Sequence, residues 1–244
     1  MCRMLGAVGP LREAAPLVAS FRREAQDGAR LTETRGHRDG WGIVAGAPPA
    51  HAGRSAKDAF DDPAFPEAAA KVARDGRGVA LVHLRAASAG TVSVENAHPF
   101  VGDGLAFCHN GTVHGIAPPD RSDTRAYFER ILRERRAGAT PAEALRSVAT
   151  SLAKEPSRFS SITALLTDGT TLWGVRRVGE EPTECADRGC ALAYYDLAVA
   201  RVGGLTVLAQ ERRALPPGAT WESVPDGSLV EIGSDGAARI GPLA

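Results

Sequence analysis

Met1-Cys2-Arg3-Met4-Leu5-Gly6-Ala7-Val8-Gly9-Pro10 opens the chain, and its first two residues decide how the rest is read. Removing Met1 would leave a thiol and a free α-amine on one residue, Cys2. That pair is a complete nucleophile-and-base unit, because the amine can take the thiol proton directly or through a water. The side chain of Cys2 is small, which suits an aminopeptidase acting on the preceding methionine. A Cys in second position is also, more plainly, a small residue entering a strand. Arg3 to Val8 is a short apolar run closed by Gly9-Pro10, the pattern of a buried first strand with Cys2 anchored at its mouth.

Composition narrows the function classes. With 244 residues, 43% hydrophobic and 24% charged, the chain can bury a sizeable core. Lys+Arg and Asp+Glu each number 29, so no basic field exists to attract nucleic acid or an anionic membrane surface. No apolar run reaches the ~18 residues of a membrane span. The N-terminus lacks the long apolar core of a signal peptide. Four cysteines at uneven spacing do not form a disulfide framework. The expectation is a soluble, cytoplasmic protein.

Outward from the first strand, residues 11–26 carry Leu11, Ala14, Ala15, Val18 and Phe21 at helical spacing. Arg35 to Gly42 is glycine-rich and reads as a tight turn into a strand, with backbone close to a ligand as the functional alternative. Residues 47–62 read as an exposed loop, and Pro66 to Arg74 as an alanine-rich helix. Val79 to Leu84 is apolar almost throughout, so it is predicted as a central strand that delivers Arg85 at its end. Another strand, Leu105 to Cys108, runs into His109-Asn110-Gly111, a special turn at a strand end. Helices are predicted over 124–136 and 141–154, both opening on N-cap chemistry at Ser122-Asp123 and Thr140-Pro141. Thereafter the chain is mostly β: a hairpin of Ile162–Leu166 and Leu172–Val175, then strands at Leu192–Tyr195, Leu197–Ala200, Leu205–Ala209 and Leu229–Ile232. No repeat and no domain boundary is visible. Antiparallel sheets in two layers with helices outside is the economical arrangement.

A thiol that cleaves an amide needs donors for the tetrahedral oxyanion. The Asn110 side chain beside the Gly111 N–H can supply two, although Asn-Gly is also a common hairpin turn. An amino-acid substrate needs a cation for its carboxylate and an anion for its ammonium. Arg85 suits the first through two parallel hydrogen bonds, and Asp123 the second, or else Asp123 is a helix N-cap. Cys108-His109 is a poor dyad, because adjacent strand residues point to opposite faces. Cys185 and Cys190 have no second Cys/His pair at ligand spacing, and the histidines at 37, 83, 98, 109 and 114 form no recognised metal pattern.

Together these residues resemble the glutaminase domain of class II glutamine amidotransferases. That family begins its mature chain with the catalytic Cys, as Cys2 would here. Its early Arg-Gly-x-Asp loop resembles Arg35 to Gly42, in the His37-x-Asp39-Gly40-Trp41-Gly42 form of stand-alone members. Arg85-Ala86-Ala87-Ser88-Ala89-Gly90 is similar to its glutamine-binding Arg segment. Asn96 to Phe100, His109 to Gly111 and Ser122-Asp123-Thr124 match further motifs in family order. Leu205–Glu211 and Pro225 to Leu229 resemble the closing segment, with Gln210 standing where the family pattern has Ser. The similarity covers essentially the whole chain.

The resemblance implies an N-terminal-nucleophile hydrolase fold, an α+β four-layer αββα sandwich of two antiparallel sheets, as a single glutaminase domain over residues 1–244. It implies Cys2, Asn110 and Gly111 as the catalytic set. Arg85, Ser88 and Asp123 are expected to bind substrate, with His98 shaping the Arg85 loop. No cofactor and no metal is implied. Two enzyme readings follow: a free-standing hydrolase of glutamine or small γ-glutamyl amides, as in the ergothioneine-pathway members, or a glutaminase subunit feeding ammonia to a separate synthase. A third reading is a non-catalytic ligand-binding relative that keeps Met1. The 47–62 segment is the expected opening for a substituted amide.

Overall fold

Alternation along the first strand, β1 (Arg3–Pro10), sets the architecture. Leu5 and Ala7 pack on one side with Leu11, Phe21, Phe65 and Val82. Met4 and Val8 pack on the other with Leu81, Cys108, Leu165 and Leu208. A strand apolar on both faces must lie between two layers, which is why β1 reads as a continuous hydrophobic run. The structure is a computed structural model that describes residues 2–27, 36–155, 158–179, 188–210, 212, 215 and 217–244.

The chain continues through α1 (Leu11–Phe21), α2 (Glu24–Asp27), β2 (Trp41–Ala45), β3 (Ala50–Ser55), α3 (Ala64–Val72), β4 (Arg77–Leu84), β5 (Phe100–Gly102) and β6 (Leu105–Asn110). Then come α4 (Asp123–Arg136), α5 (Pro141–Lys154), β7 (Thr163–Thr167), β8 (Leu172–Arg176), α6 (Arg188–Tyr194), β9 (Ala198–Val202), β10 (Leu205–Ala209), β11 (Glu222–Ser223), β12 (Ser228–Ile232) and β13 (Ala238–Pro242). One sheet has seven strands in the order β11-β9-β10-β1-β4-β2-β3, the other six in the order β13-β12-β8-β7-β6-β5. The paired strands within each sheet run antiparallel.

The expected four layers are present. Helices α1 and α3 cover the outer face of the seven-stranded sheet through Leu11, Val18, Phe65 and Val72. Helices α4 and α5 cover the outer face of the six-stranded sheet, where Tyr127, Ile131, Leu145 and Val148 meet Phe107, Leu166 and Val175. The inner faces meet through Met4, Val44, Leu81, Ala106, Cys108, Leu165, Leu208 and Val230. Truncating one of these fully buried leucines to Ala removes its contacts on a layer that cannot collapse freely, at a cost of about 2–5 kcal/mol.

Several expectations are corrected. The helix over 11–26 ends at Phe21, with α2 as a separate short turn. The 47–62 loop contains β3, an edge strand paired with β2; its residues are exposed or half-buried with none in the core, so it lacks the apolar alternation that marks a strand. Leu192–Tyr195 is not a strand but the end of α6 and the residue after it. Ala191, Tyr194 and Tyr195 pack together with Val178, a spacing of three and four that suits a helical turn. The short strands β5 and β13 were not expected from sequence. The capping prediction holds at α5, where Thr140 and Glu143 form a reciprocal capping box. At α4 it does not: Ser122 makes no cap bond and its hydroxyl turns to His98 instead. Among the described residues, no helix is long and apolar enough to cross a membrane.

Candidate active site

Four strand ends converge at one edge of the sandwich. In the β1–β4 ladder Met4 lies opposite His83 and Arg3 opposite Leu84, so one step further Cys2 faces Arg85. In the β1–β10 ladder Leu5 lies opposite Ala209, and the next backbone bond runs from the Gln210 N–H to Met4 O at 3.1 Å. Period-two alternation carries the inner face outward along each strand, from Met4 to Cys2, from Leu81 through His83 to Arg85, from Leu208 to Gln210, and from Cys108 to Asn110. Cys2, Arg85, Asn110 and Gln210 thus gather between the sheets, all buried.

At the centre, the Cys2 N–H donates to Asn110 Oδ1 at 2.9 Å, joining the residue before β1 to the last residue of β6 in the other sheet. The Cys2 thiol points to Ala86 O, 3.7 Å from Sγ. From the outer side of β1, Arg3 Nη1 donates to Cys2 O at 2.9 Å, and its guanidinium lies 4.3 Å from the centre of the Tyr194 ring. Burial pushes the Cys2 thiol above its usual range, opposed in part by the positive charge of Arg85. A thiol held protonated in this way needs an adjacent base before it can attack.

Asn110 closes β6, and Gly111 follows at φ +150°. A side chain at Gly111 would collide with Ser161 O, so only glycine fits this turn. Asn110 Nδ2 donates to Gln210 Oε1 at 2.9 Å. The Thr112 hydroxyl meets Ser88 Oγ at 2.7 Å, joining the turn to the loop after Arg85.

Arg85 sits at the end of β4 with its guanidinium bent under its own loop. Nη1 donates to Thr91 O and Nη2 to Ala89 O, both at 2.9 Å. With five N–H donors, a guanidinium so held still has others to offer a carboxylate. Asp39 clips the same strand end: its N–H donates to Arg85 O and its Oδ2 accepts from the Ala87 N–H, both at 2.9 Å. Gly40 O accepts from the Arg85 N–H at 2.8 Å. The glycine-rich segment thereby supports the Arg85 loop. Arg35, at its start, lies outside the described residues, as do Met1, Cys185 and Glu211.

Asp123 is the first residue of α4, and its Oδ2 accepts from the Val113 N–H at 2.7 Å, tying the helix to the turn after Gly111. His98 is buried. Its Nδ1 meets His83 Nε2 at 3.1 Å and its Nε2 meets Ser122 Oγ at 3.2 Å. Both ring nitrogens are engaged inside the protein, so His98 holds the start of α4. Burial drives His83 down to about 3 and His98 well below the usual imidazole range, so both are neutral near pH 7. As expected, Cys108 and His109 face opposite ways. Cys108 lies in the inner core, while His109 packs edge-on to Tyr127 and bonds Thr124 and Ser161.

The structure therefore brings Cys2, Arg85, Ser88, Asn110, Gly111 and Asp123 to one edge, with His98 behind. Sequence reasoning gave no role to Asp39 or Thr112 and saw Gln210 only as a departure from a pattern. The signal for Gln210 lay in the alternation Leu208, Gln210 on the strand beside β1.

A sequence profile of the family described as "Glutamine amidotransferases class-II" matches residues 1–238. No curated protein matches the chain by sequence. Among solved structures, glutamine phosphoribosylpyrophosphate amidotransferase from B. subtilis, complexed with ADP and GMP, superposes with a TM-score of 0.65 at 17% identity. The match covers all of this chain and 49% of that one, so the chain spans about half its length. A structure described as the allosteric regulatory enzyme of purine biosynthesis gives a TM-score of 0.64 at 19% identity, again over 49% of that chain. A glutamine aminotransferase class-II domain protein from Silicibacter pomeroyi gives 0.61 at 20% identity, with both chains fully covered. These likenesses establish the fold.

Proposed function

The chain belongs to the class II glutamine amidotransferases, and from that premise we propose that it hydrolyses the γ-amide of glutamine or of a small γ-glutamyl amide through a thioester on Cys2. The observation that carries this reading is the 2.9 Å bond from Cys2 N to Asn110 Oδ1. It sets the nucleophile, and the amine that Met1 removal would free, against an Asn-Gly turn able to hold an oxyanion.

In this mechanism the Cys2 amine accepts the thiol proton and the sulfur attacks the γ-carbonyl carbon. The carbonyl π electrons move to oxygen, where the second Asn110 Nδ2 hydrogen and the Gly111 N–H receive the negative charge. Collapse of the tetrahedral species breaks the C–N bond, and the Cys2 ammonium returns its proton to the leaving ammonia or amine. Water, deprotonated by the same amine, then attacks the thioester, releasing glutamate and the thiol. Arg85 reads the α-carboxylate with help from Ser88. Asp123 reads the α-ammonium through Oδ1, its Oδ2 being held by Val113.

Two of the similar solved structures are chains about twice as long as this one, and the third is matched over its full length. The experiment is kinetic: compare kcat/KM for glutamine and for a panel of N-substituted γ-glutamyl amides, using the purified protein alone. Turnover abolished by Cys2→Ala supports the proposal. Negligible turnover of every amide, rescued by a co-purifying protein, would replace it with a glutaminase subunit.

A further inference from the structure

The geometry points to Gln210 as the positioning residue that fixes which way the Asn110 amide faces, an inference that rests on the thioester hydrolase reading above. The Asn110 side chain has one acceptor end and one donor end, and only one orientation serves catalysis. Oδ1 must meet the Cys2 nitrogen, and Nδ2 must remain available for the oxyanion. Cys2 N–H is a donor, which selects Oδ1 for the 2.9 Å contact. That leaves Nδ2 turned to Gln210, where Oε1 accepts one of its two hydrogens at 2.9 Å. The other hydrogen is the one that the mechanism uses. With the amide held at both ends, flipping Asn110 would place N–H against N–H at Cys2 and would oblige Gln210 to turn its own amide as well.

Gln210 itself shows an imbalance. It is 6% exposed, anchored through its backbone to Met4, and among the described residues its Nε2 meets no hydrogen-bond acceptor. Buried polar groups are nearly always satisfied, so half of this amide is a burden on folding. A Leu or Met of similar volume would carry no such burden. What an apolar side chain cannot supply is the Oε1 acceptor for Asn110.

The test is a double-mutant cycle on the full-length protein with glutamine as substrate, comparing the parent, Gln210→Met, Asn110→Ala and the pair. The same four proteins are compared for the rate of Cys2 labelling by a glutamine-like diazo-ketone, a readout that needs no turnover. Gln210→Met is expected to lower kcat by about 10-fold, the worth of one hydrogen bond, with KM within about 2-fold and Tm close to the parent's. In the Asn110→Ala background the same change should cost nothing further. Equal losses in both backgrounds would show that Gln210 acts independently of Asn110 and overturn the assignment. So would a rise in KM alone, or failure of both Gln210→Met and Gln210→Leu to fold. If Asn110→Ala itself keeps the parent kcat and labelling rate, the oxyanion reading fails. If Asn110→Ala is impaired and Gln210→Met is not, only the Gln210 assignment fails.

Discussion

The hydroxyls of Ser88 and Thr112 meet at 2.7 Å and join the loop after Arg85 to the turn after Asn110. The first loop carries the residue assigned to the substrate carboxylate, the second the residues assigned to the oxyanion. The bond therefore couples binding geometry to chemical geometry. Ser88→Ala should raise KM for glutamine by about 3- to 10-fold with kcat little changed, in line with the loss of one hydrogen bond. Thr112→Val should do the same, and the double variant should be no worse than either alone. Additive losses in steady-state kinetics would mean that the two hydroxyls serve separate ends.

Asn110 and Asp123 should separate chemistry from binding. Asn110→Ala removes one oxyanion donor, so kcat should fall by about 10²–10³-fold. Asp123→Asn keeps an acceptor for the Val113 N–H and so keeps the start of α4 in place, while removing the charge proposed to meet the substrate ammonium. Its effect should lie in KM, because the α-amine is bound alike in ground and transition states. The reverse pattern would exchange the two roles.

How much of this could be read before the structure depended on burial. β4 was legible because Val79 to Leu84 is buried on both faces, and that assignment delivers Arg85. β3 was not, because an edge strand with exposed Ala50 and His51 carries no periodic signal. The run at Leu192–Tyr195 was too short to separate strand from helix by pattern, and α6 won through the packing of Tyr194 and Tyr195 on Val178 and the Arg3 guanidinium over Tyr194. Within the site, residues with distinctive chemistry were visible: Cys2, Arg85, Asn110, Asp123. The side chains of Asp39, Thr112 and Gln210 act through contacts with residues 24 to 100 positions away, and no local pattern encodes those.

The buried histidines predict a pH dependence of stability. Both His83, held at about 3, and His98 lie below the ordinary imidazole value because burial disfavours the cation. The sign follows from linkage. Between about pH 3 and 6.5 the unfolded chain binds protons that the folded one refuses, so stability is greatest above 6.5 and falls as pH drops. For His83 alone the slope approaches about 1.4 kcal/mol per pH unit in that window. Urea midpoints measured from pH 7.5 to 4.5 should decline, and His83→Gln should flatten the decline. A midpoint independent of pH across this range would show that these imidazoles become charged without unfolding.

Cysteine chemistry supplies the last prediction, since the proposed nucleophile precedes β1 and a second, core thiol lies on β6 of the facing sheet. Cys108 is fully buried in the inner core, and burial lifts its thiol well above the ordinary range, with the neighbouring Cys2 adding to the effect. A thiol that does not ionise does not alkylate. Cys2 is also buried, but it stands at the end of the sandwich beside Ala86 and Asn110, and removal of Met1 would place a base on the same residue. A glutamine-like diazo-ketone should therefore add once, at Cys2, and intact mass should show that the labelled molecules lack Met1. Cys108→Ala should leave labelling unchanged, and Cys2→Ala should abolish it. Labelling that persists in Cys2→Ala, or that proceeds at full rate on molecules retaining Met1, would remove the terminal amine from the mechanism and with it the reason for reading Cys2 as the nucleophile.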